Sequence, residues 1–362
     1  MAYAVHSSFS GFVPQATGQL ISFMRDPKEW RLNDYIQYVH SSKTVGLYKR
    51  LSLDQSVRVV NDEINVWPDG SKRPRRVDNR MKFDTVEFQT IRRTEGFEIG
   101  WQAIEQADEK ILTMHGDMAM SQLMTARTQR VITLLETASN WGNNTGTVNA
   151  LNRGAGSWKD ASADPNSPNY LAIKKTLNAV ALKIQLATNG KVKASKKGVL
   201  RLVMSPGVAQ MLSETAEIHD YLKRSQVAKD MVKGAEPGLN DLFGLPDQLY
   251  GWELIVEDAP IVTQNANDSE AFGSEATTTG NAPARRYIKS DSSVVALSRI
   301  GGLDGQYGGE SFTTAQIFFR DKELSLKTFD DPENELTKGH VDEEVVEKMV
   351  APQSGFLITG IQ

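Results

Sequence analysis

The residue types in this chain that could perform acid–base chemistry are histidines and carboxylates. The histidines are scattered, and none has a second histidine within one helical turn: His6, His40, His115, His219 and His340. Acidic residues cluster at 330–333 (DDPE) and at 342–344 (DEE). Such clusters usually lie on a solvated surface, and paired carboxylates act as acid and base only in a special environment. We therefore predict no catalytic residue, no metal site and no cofactor site.

Common nucleotide-binding and hydrolase motifs are also missing from the sequence. Gly190-Lys191 lacks the upstream glycine and the following Ser or Thr of a phosphate-binding loop, and the glycines between 301 and 309 have the wrong spacing for a dinucleotide-binding loop. Neither HExxH nor GxSxG occurs. With no cysteine, the chain has no disulfide, thiolate zinc ligand or cysteine nucleophile. An enzyme with an unrecognised site remains an alternative.

The composition is that of an ordinary globular protein, with 362 residues of which 40% are apolar and 24% charged. No apolar run approaches the ~20 residues of a membrane span, and the N-terminal segment lacks the basic start and apolar core of a signal peptide. We expect a protein that is made and works in a cytoplasm, without a membrane partner. The net charge of −4 provides no general attraction to nucleic acid, so any DNA contact is expected to be local or weak.

The densest positive cluster, 71–76 (SKRPRR), follows the sequence Trp67-Pro68-Asp69-Gly70. Pro and Gly in this order indicate a turn, because Pro restricts φ and Gly accepts a positive φ. We predict that the tip contacts an acidic surface of a neighbouring subunit. The candidate contact residues are Trp67, Lys72, Arg73, Arg75 and Arg76. A solvated turn is the alternative without a function, and nucleic-acid binding is less favoured because no aromatic residues interleave with the basic ones.

Apolar and polar residues alternate on both sides of this turn. The apolar positions are Val57, Val59, Ile64 and Val66 before it, and Val86, Phe88, Phe97 and Ile99 after it. A period of two indicates strands, so we predict an extended β-hairpin over 50–100. A ribbon of two strands is only marginally stable in water, and we expect a neighbouring molecule to stabilise it.

The stretch from Trp101 to Trp141 reads as one long helix. It contains no proline and a single glycine, Gly116, and its apolar residues recur three and four positions apart. At ~1.5 Å per residue it would be roughly 60 Å long. No second helix of comparable length is predicted, which argues against a coiled coil. We therefore predict a backbone helix against which a sheet and smaller elements are packed.

The segment before the hairpin, residues 1–49, is predicted to be an N-terminal arm. Asp26 followed by Pro27 indicates the start of a short helix that continues through Tyr38. The arm has no apolar core of its own, so it must pack on another part of the protein.

The remainder of the chain reads as a mixture of helices and strands. Residues 142–169 are polar and are predicted to be a surface loop that Trp158 plugs into the body. A helix is predicted over 170–187, and a compact α/β unit over 198–286, whose first helix begins at Ser205-Pro206. Within that unit, helical pieces are predicted as far as Phe243, then a strand at 252–256 and an exposed loop at 264–284. Later strands are predicted at 287–288, 294–297, 315–319, 324–329, 344–350 and 356–358.

This order of elements resembles that of the major capsid protein of tailed bacteriophages, the Hong Kong 97-type fold. The stretches that carry the resemblance are RVVNDEINVWPDGSKRPRRVDNRMKFDTVEFQTIRRTEGFEIG for the extended loop, AIEQADEKILTMHGDMAMSQLMTARTQRVITLLETASNW for the long helix, and RLVMSPGVAQML for the start of an axial domain. The resemblance implies an α+β fold with an N-terminal arm, an extended β-hairpin loop, a spine helix, a peripheral domain and a central axial domain. The implied boundaries are 1–49 for the arm, 50–100 for the loop, 101–198 for the peripheral domain with its spine helix at 101–141, 199–310 for the axial domain, and 311–362 for strands that return to the peripheral domain.

The function that the resemblance implies is structural. Hexamers and pentamers of the chain would close into the icosahedral capsid of a virion, assembled in the cytoplasm of a bacterial host around double-stranded DNA that is contacted non-specifically. A separate scaffolding protein, a portal and a decoration protein are implied partners. An encapsulin shell, which shares the fold and encloses cargo enzymes, is the alternative within the fold, and the arm at 1–49 argues against it.

Overall fold

The architecture is α+β, as predicted, and one long helix joins the two larger of the sheets that the described residues form. The computed structural model describes residues 29–51, 68–72, 83–106, 111–154, 156–192, 199–224, 239–240, 245–262, 285–300 and 312–361. The helices are α1 (Leu32–Tyr35), α2 (Trp101–Gln106), α3 (Ile111–Glu136), α4 (Val148–Leu151), α5 (Ala172–Ala187), α6 (Pro206–Glu214) and α7 (Ala216–Arg224). The strands are β1 (Gln37–His40), β2 (Val45–Leu51), β3 (Phe83–Gln89), β4 (Ile91–Gly100), β5 (Thr145–Thr147), β6 (Leu200–Met204), β7 (Leu239–Asn240), β8 (Leu245–Pro246), β9 (Gln248–Leu249), β10 (Trp252–Val256), β11 (Pro260–Val262), β12 (Arg285–Tyr287), β13 (Ser293–Ile300), β14 (Phe312–Thr313), β15 (Ala315–Phe319), β16 (Ser325–Asp331), β17 (Leu336–Met349) and β18 (Phe356–Thr359).

The long helix, α3, ends earlier than the sequence predicts. Thr137 leaves the helical conformation, and a 3₁₀ turn follows at Ala138–Trp141. Side chains from this turn bind the last helical carbonyl groups: Asn140 Nδ2 donates to Leu134 O at 2.8 Å, and Trp141 Nε1 donates to Leu135 O at 2.7 Å. These bonds satisfy acceptors that a helix end leaves open. The prediction of one helix as far as Trp141 is therefore wrong in its last turn.

The five-stranded sheet is organised around β17. This strand pairs with β4 along one side, from Leu336 opposite Gly100 to Val345 opposite Ile91. Along its other side it pairs with β16 and then with β15, both antiparallel, and β1 adds to β15 in parallel. The sequence predicts only the end of β17, from Glu344. The missed first part contains Gly339 and the consecutive acids Asp342 and Glu343, which obscure the alternation.

The seven-stranded sheet has the order β5-β18-β13-β6-β10-β9, with β14 paired to β13. One face is covered by α5, α6 and Trp158, which is fully buried as the predicted plug. Helix α6 begins where the sequence predicts, since the Ser205 side chain accepts a hydrogen bond from Val208 N at 3.2 Å and Pro206 follows it. The chain after residue 311 contributes strands to both sheets, because β18 pairs with β13 and β5.

The long helix bridges the two sheets. Its first half, including Ile111 and Leu123, packs with Phe97 and Ile99 of β4 and Val341 of β17. Its second half packs on the other face of the seven-stranded sheet, where Val131, Ile132 and Leu135 meet residues of β6, β10 and β13. Each fully buried aliphatic side chain contributes roughly 1.5–3 kcal/mol. The prediction of a backbone helix with a sheet and smaller elements packed on it is confirmed.

The arm before the hairpin differs from the prediction. Among the described residues of the arm, which begin at residue 29, the α-helix covers Leu32–Tyr35, and Gln37–His40 is a strand where the sequence predicts that a helix continues. Pairing with β15 outweighs the local helix signal, and Asp26 and Pro27 lie outside the described residues. Leu32 and Tyr35 are buried among residues of α3 and both sheets, so this part of the arm does pack on the body.

Two further local predictions are wrong. The polar connection 142–169 contains β5 and α4, because Val148 and Leu151 are buried in the core that also holds Trp158. The helical piece predicted around Leu239 is instead strand β7, which pairs with β8.

Candidate assembly surfaces

Buried ion pairs fasten the long helix to β17. Arg127 and Arg130 lie three residues apart on α3 and therefore face the same way. Arg127 Nε donates to Glu343 Oε2 at 3.0 Å, and Arg130 Nη2 donates to Glu343 Oε1 at 2.5 Å. Arg130 Nε also reaches Glu347 Oε1 at 2.8 Å. The side chains of Arg127 and Glu343 are fully buried, so this cluster has a structural role as a clamp.

Burial and neighbouring charges shift the pKa values of Arg127 and of Tyr38, whose ring it contacts. Burial opposes the charge of Arg127, but the nearby Tyr38, Glu343 and Glu323 raise the pKa of its guanidinium above the usual value. Burial also raises the pKa of Tyr38 to about 12. The buried guanidinium of Arg127 thus faces carboxylates of opposite charge, as a buried charge must.

The three consecutive acids at 342–344 were expected at the surface, and this expectation is wrong for two of them. Asp342 and Glu343 are buried. Alternation along β17 sends Glu343 towards α3, while Asp342 faces the other side of the sheet. There Asp342 accepts hydrogen bonds from Arg92 of β4 at 2.5 Å and from Lys327 of β16 at 3.3 Å.

A second ion pair, between buried Lys289 and half-buried Glu136, holds the end of the long helix. Lys289 Nζ donates to Glu136 Oε1 at 2.6 Å and to Ser293 O at 2.6 Å, and Ser290 N donates to the same carboxylate at 3.1 Å. Burial lowers the pKa of Lys289. Burial raises the pKa of Glu136, but the Lys289 charge together with hydrogen bonds from Lys289, Ser293 and Ser290 outweighs burial and leaves this pKa below its ordinary value. The lysine is engaged by several acceptors, so it is a structural cation rather than an available nucleophile.

This pair lies at the edge of an open groove between α3 and the β11–β12 ribbon. The groove has a volume of about 670 Å³, and its lining includes Gln129, Thr133, Arg286 and Tyr287. Within the ranges given above, no three His, Cys, Asp or Glu side chains are placed to hold a metal ion. His115, the histidine of the long helix, packs over Phe97 with ring centroids 5.8 Å apart, and its half-burial lowers its pKa.

Strands β2 and β3 form the base of the predicted hairpin, but the prediction is wrong for Phe97 and Ile99, which belong to β4 and lie opposite β17. Strands β2 and β3 pair antiparallel from Val45 opposite Gln89 to Leu51 opposite Phe83. Phe88 stacks on Phe318 of β15 with ring centroids 4.2 Å apart, and Tyr48 OH donates to Met349 O at 3.2 Å. The hairpin base is therefore stabilised by the chain's own five-stranded sheet, whereas the sequence led us to expect a neighbouring molecule.

Residues 68–72, which the sequence predicts to be the hairpin tip, form a turn. Ser71 N donates to Pro68 O at 3.1 Å, and Gly70 has φ of +79°, which a type II turn requires at its third position. Lys72 is exposed. The other candidate contact residues, Trp67, Arg73, Arg75 and Arg76, lie outside the described residues, so inter-subunit contact at the tip stays a prediction.

The clamp and the anchored hairpin base are the features that sequence reasoning missed. A signal for the clamp exists in the sequence. If 336–349 is read as one strand, Thr337, Val341, Glu343 and Val345 share a face, and a carboxylate on an otherwise apolar face calls for a cation. Arg127 and Arg130, on one face of the long helix, supply it.

Comparison with known proteins identifies the fold. Neither protein-family models nor curated protein sequences match this chain. Solved structures do. The chain of the bacteriophage PhiM1 mature capsid is 12% identical, with 94% of this chain and 90% of that chain covered and a TM-score of 0.53. The capsid of cyanophage P-SCSP1u gives 8% identity, coverage of 97% and 93%, and a TM-score of 0.55.

A phage-related protein from Bordetella bronchiseptica is similar to the same degree, with 11% identity, 91% of each chain covered and a TM-score of 0.53. At these identities the likeness concerns the fold. The chain therefore has the fold of phage capsid proteins, as the sequence resemblance predicts. None of the helices in the described ranges is long and apolar enough to cross a membrane.

Proposed function

We propose that this chain is the major capsid protein of a tailed bacteriophage, which forms the shell of the virion around double-stranded DNA. The observation that carries the proposal is the fold, shared over at least nine-tenths of both chains with the capsid structures of PhiM1 and P-SCSP1u. Hexamers and pentamers are the expected rings, because a contact repeated head to tail around an axis closes a ring.

The arrangement of the hairpin supports this proposal. Its base is fixed to the five-stranded sheet through Phe88 and Tyr48, so the tip has a defined origin on the body. We assign the tip, including Lys72, Arg73, Arg75 and Arg76, to contact with a neighbouring subunit. The proposed division of the chain is an arm at 1–49, an extended loop at 50–100, a peripheral domain at 101–198 with its spine helix, an axial domain at 199–310 and returning strands at 311–362.

A structural role also fits the buried charges. Arg127, Glu343 and Lys289 each bind groups of the chain itself, as expected of side chains that hold elements together. We assign no catalytic activity to the chain. The partners that complete the proposal are a separate scaffolding protein, a portal and a decoration protein, with assembly in the cytoplasm of the bacterial host.

The role of the tip can be tested by replacing Lys72, Arg73, Arg75 and Arg76 with alanine. The matched control removes the same charge from four exposed lysines on the body, Lys159, Lys175, Lys183 and Lys191. Light scattering and negative-stain electron microscopy should show that the tip variant assembles poorly while its circular dichroism is unchanged, and that the control assembles normally. Normal shells from the tip variant would show that these four side chains are not needed for contact between subunits.

An encapsulin-type shell is separated from a virion by what the particles enclose. Particles purified from cells should contain nucleic acid protected from nuclease, rather than a cargo protein. Particles that contain a protein cargo and no nucleic acid would instead identify the shell as an encapsulin-type nanocompartment.

A further inference from the structure

The five-stranded sheet ends at β16, whose outer edge has no strand partner in the described part of the chain. β16 pairs with β17 on one side, from Ser325 opposite Asp342 to Asp331 opposite Leu336. Its other side presents a row of backbone N–H and C=O groups over seven residues. An open edge of this length is a template for another strand unless something opposes pairing.

The side chains of β16 suit a second copy of the same strand. Lys327, Phe329 and Asp331 alternate along the face that points away from the long helix. Phe329 is 52% exposed, which is unusual for a phenylalanine on a sheet. If two β16 strands run antiparallel with Phe329 opposite its own copy, Lys327 of each strand lies opposite Asp331 of the other. The pattern is thus self-complementary, as an isologous contact requires.

The residues on the opposite face of β16 are also compatible with this register. Thr328 of one copy would lie opposite Asp330 of the other, where a hydroxyl can donate to a carboxylate. Centring the pair on Asp330 or on Lys327 would place like charges opposite each other, which is destabilising. Centring it on Thr328 would oppose Lys327 to Phe329 and form no ion pair. The charges therefore select one register.

The ion pairs within one chain leave Lys327 available for this contact. Asp342 is bound by two cations, Arg92 at 2.5 Å and Lys327 at 3.3 Å. The Lys327 side chain is 57% exposed, so it can turn away while Arg92 stays. Lys338, in contrast, serves two carboxylates, Asp331 at 2.8 Å and Glu98 at 3.8 Å. In the pair, Lys327 would leave Asp342, which keeps Arg92, and would bind Asp331 of the partner, which shares its own Lys338 with Glu98. Each of the two carboxylates then has a cation.

We propose that β16 is a two-fold contact between copies of this chain, in which the strands pair antiparallel about an axis at Phe329. The five-stranded sheets of two copies then form one continuous ten-stranded sheet. The inference rests on the proposed function, because a shell supplies copies related by two-fold axes.

The absence of cysteine in the chain makes a clean cross-linking test possible. Directly opposed residues of antiparallel strands have Cα atoms about 4.5–5.5 Å apart, within the range that a disulfide spans. Phe329→Cys should therefore form a disulfide-linked dimer on mild oxidation, in which most of the chain is linked. The control is Leu186→Cys, at an 80% exposed position on α5, which reports random collisions.

A second experiment keeps Phe329 in place and tests the register. Lys327→Cys alone and Asp331→Cys alone should not cross-link, because each would lie roughly 13 Å from its own copy. A mixture of the two variants should cross-link. The inference would be overturned if Phe329→Cys formed no more disulfide-linked dimer than Leu186→Cys and the mixture of Lys327→Cys with Asp331→Cys also stayed unlinked.

The outcomes also separate this inference from the proposed shell. Shells that form without cross-links at these positions would refute the β16 contact and leave the capsid function standing. Cross-linked dimers from a chain that never forms shells would support the contact and refute the capsid function.

Discussion

The fate of a charged residue in this protein depends on which side of a strand it occupies. Asp342 and Glu343 are adjacent in sequence, yet they lie on opposite faces of the sheet. Glu343 binds Arg127 of the long helix, and Asp342 binds Arg92 on the other face. Burial of Glu343 is tolerated because Arg127 and Arg130 bind both of its oxygens. An unpaired carboxylate in that place would destabilise the fold by several kcal/mol.

The clamp leads to a prediction about Arg127. Replacing it by methionine fills similar space but leaves Glu343 short of a cation, so we expect the free energy of unfolding to fall by ~3 kcal/mol. Urea denaturation of the unassembled chain measures this. Arg31→Met is the control, because its pair with Asp34 is about half exposed and is worth at most ~1 kcal/mol. Equal losses from the two variants would contradict the structural role of the clamp.

The second prediction concerns pH and Asp342. Burial raises the pKa of this carboxyl, but hydrogen bonds from Arg92, Thr94 and Lys327 outweigh burial and hold it below the ordinary 3.8. The charged form therefore stabilises the fold above that pH, and the contribution disappears as the pH falls through the lowered pKa. Asp342→Asn should be less stable than the unchanged chain at neutral pH, with a difference that shrinks in acid. Asp117→Asn, at an exposed site, should show no such trend.

For single residues, the sequence predicts local roles, such as a helix cap, better than it predicts tertiary surroundings. The Ser205 cap and the buried Trp158 were predictable because a cap and a plug are local signals. The burial of Glu343 was not, because it depends on a helix more than two hundred residues earlier in the chain. The pairing of β17 with β4 is equally remote in sequence.

Among the elements, the pair β4 and β17 shows how a glycine makes room for an aromatic ring. Phe97 lies over Gly339, and a Cβ added there would be 2.2 Å from its ring. We predict that Gly339→Ala displaces Phe97 and lowers the free energy of unfolding by ~1–3 kcal/mol. Gly96→Ala is the matched control in the same strand pair, since its added Cβ would meet only Gly339 O at 3.7 Å. Thermal unfolding of both variants checks the difference, and equal midpoints would refute this account.

The end of the long helix gives a prediction at the same scale. Trp141→Phe keeps the buried ring but removes the indole donor that binds Leu135 O at 2.7 Å. A buried carbonyl without its partner costs ~1–3 kcal/mol, so the variant should be destabilised by about that amount. Hydrogen exchange should also quicken at the last turn of α3. Unchanged exchange there would show that the bond does not hold the helix end.

The sequence predicts the elements that have strong periods and misses those that tertiary pairing creates. Helix α5 and strands β6, β10 and β15 lie where their patterns predict them. Strand β1 lies in a segment with a helix signal, and it is a strand because β15 offers a parallel partner. The first part of β17 was missed since glycine and charged residues interrupt its alternation, which only β4 and β16 together complete.

For the whole molecule, one helix unites the two larger sheets, and the base of the hairpin is fixed to the five-stranded sheet. The seven-stranded sheet packs on the second half of α3 and the five-stranded sheet on its first half, with the clamp between the helix and β17. This arrangement is the physical basis for proposing that the chain builds a shell by contacts between identical copies.

Cryo-electron microscopy of particles purified from cells that express the chain, with and without a candidate scaffolding protein, tests this central claim most directly. We predict closed icosahedral shells with rings of six and five subunits, in which each hairpin tip lies on a neighbouring subunit. A chain that stays a monomer or dimer under every condition, without shells, tubes or sheets, would contradict the account.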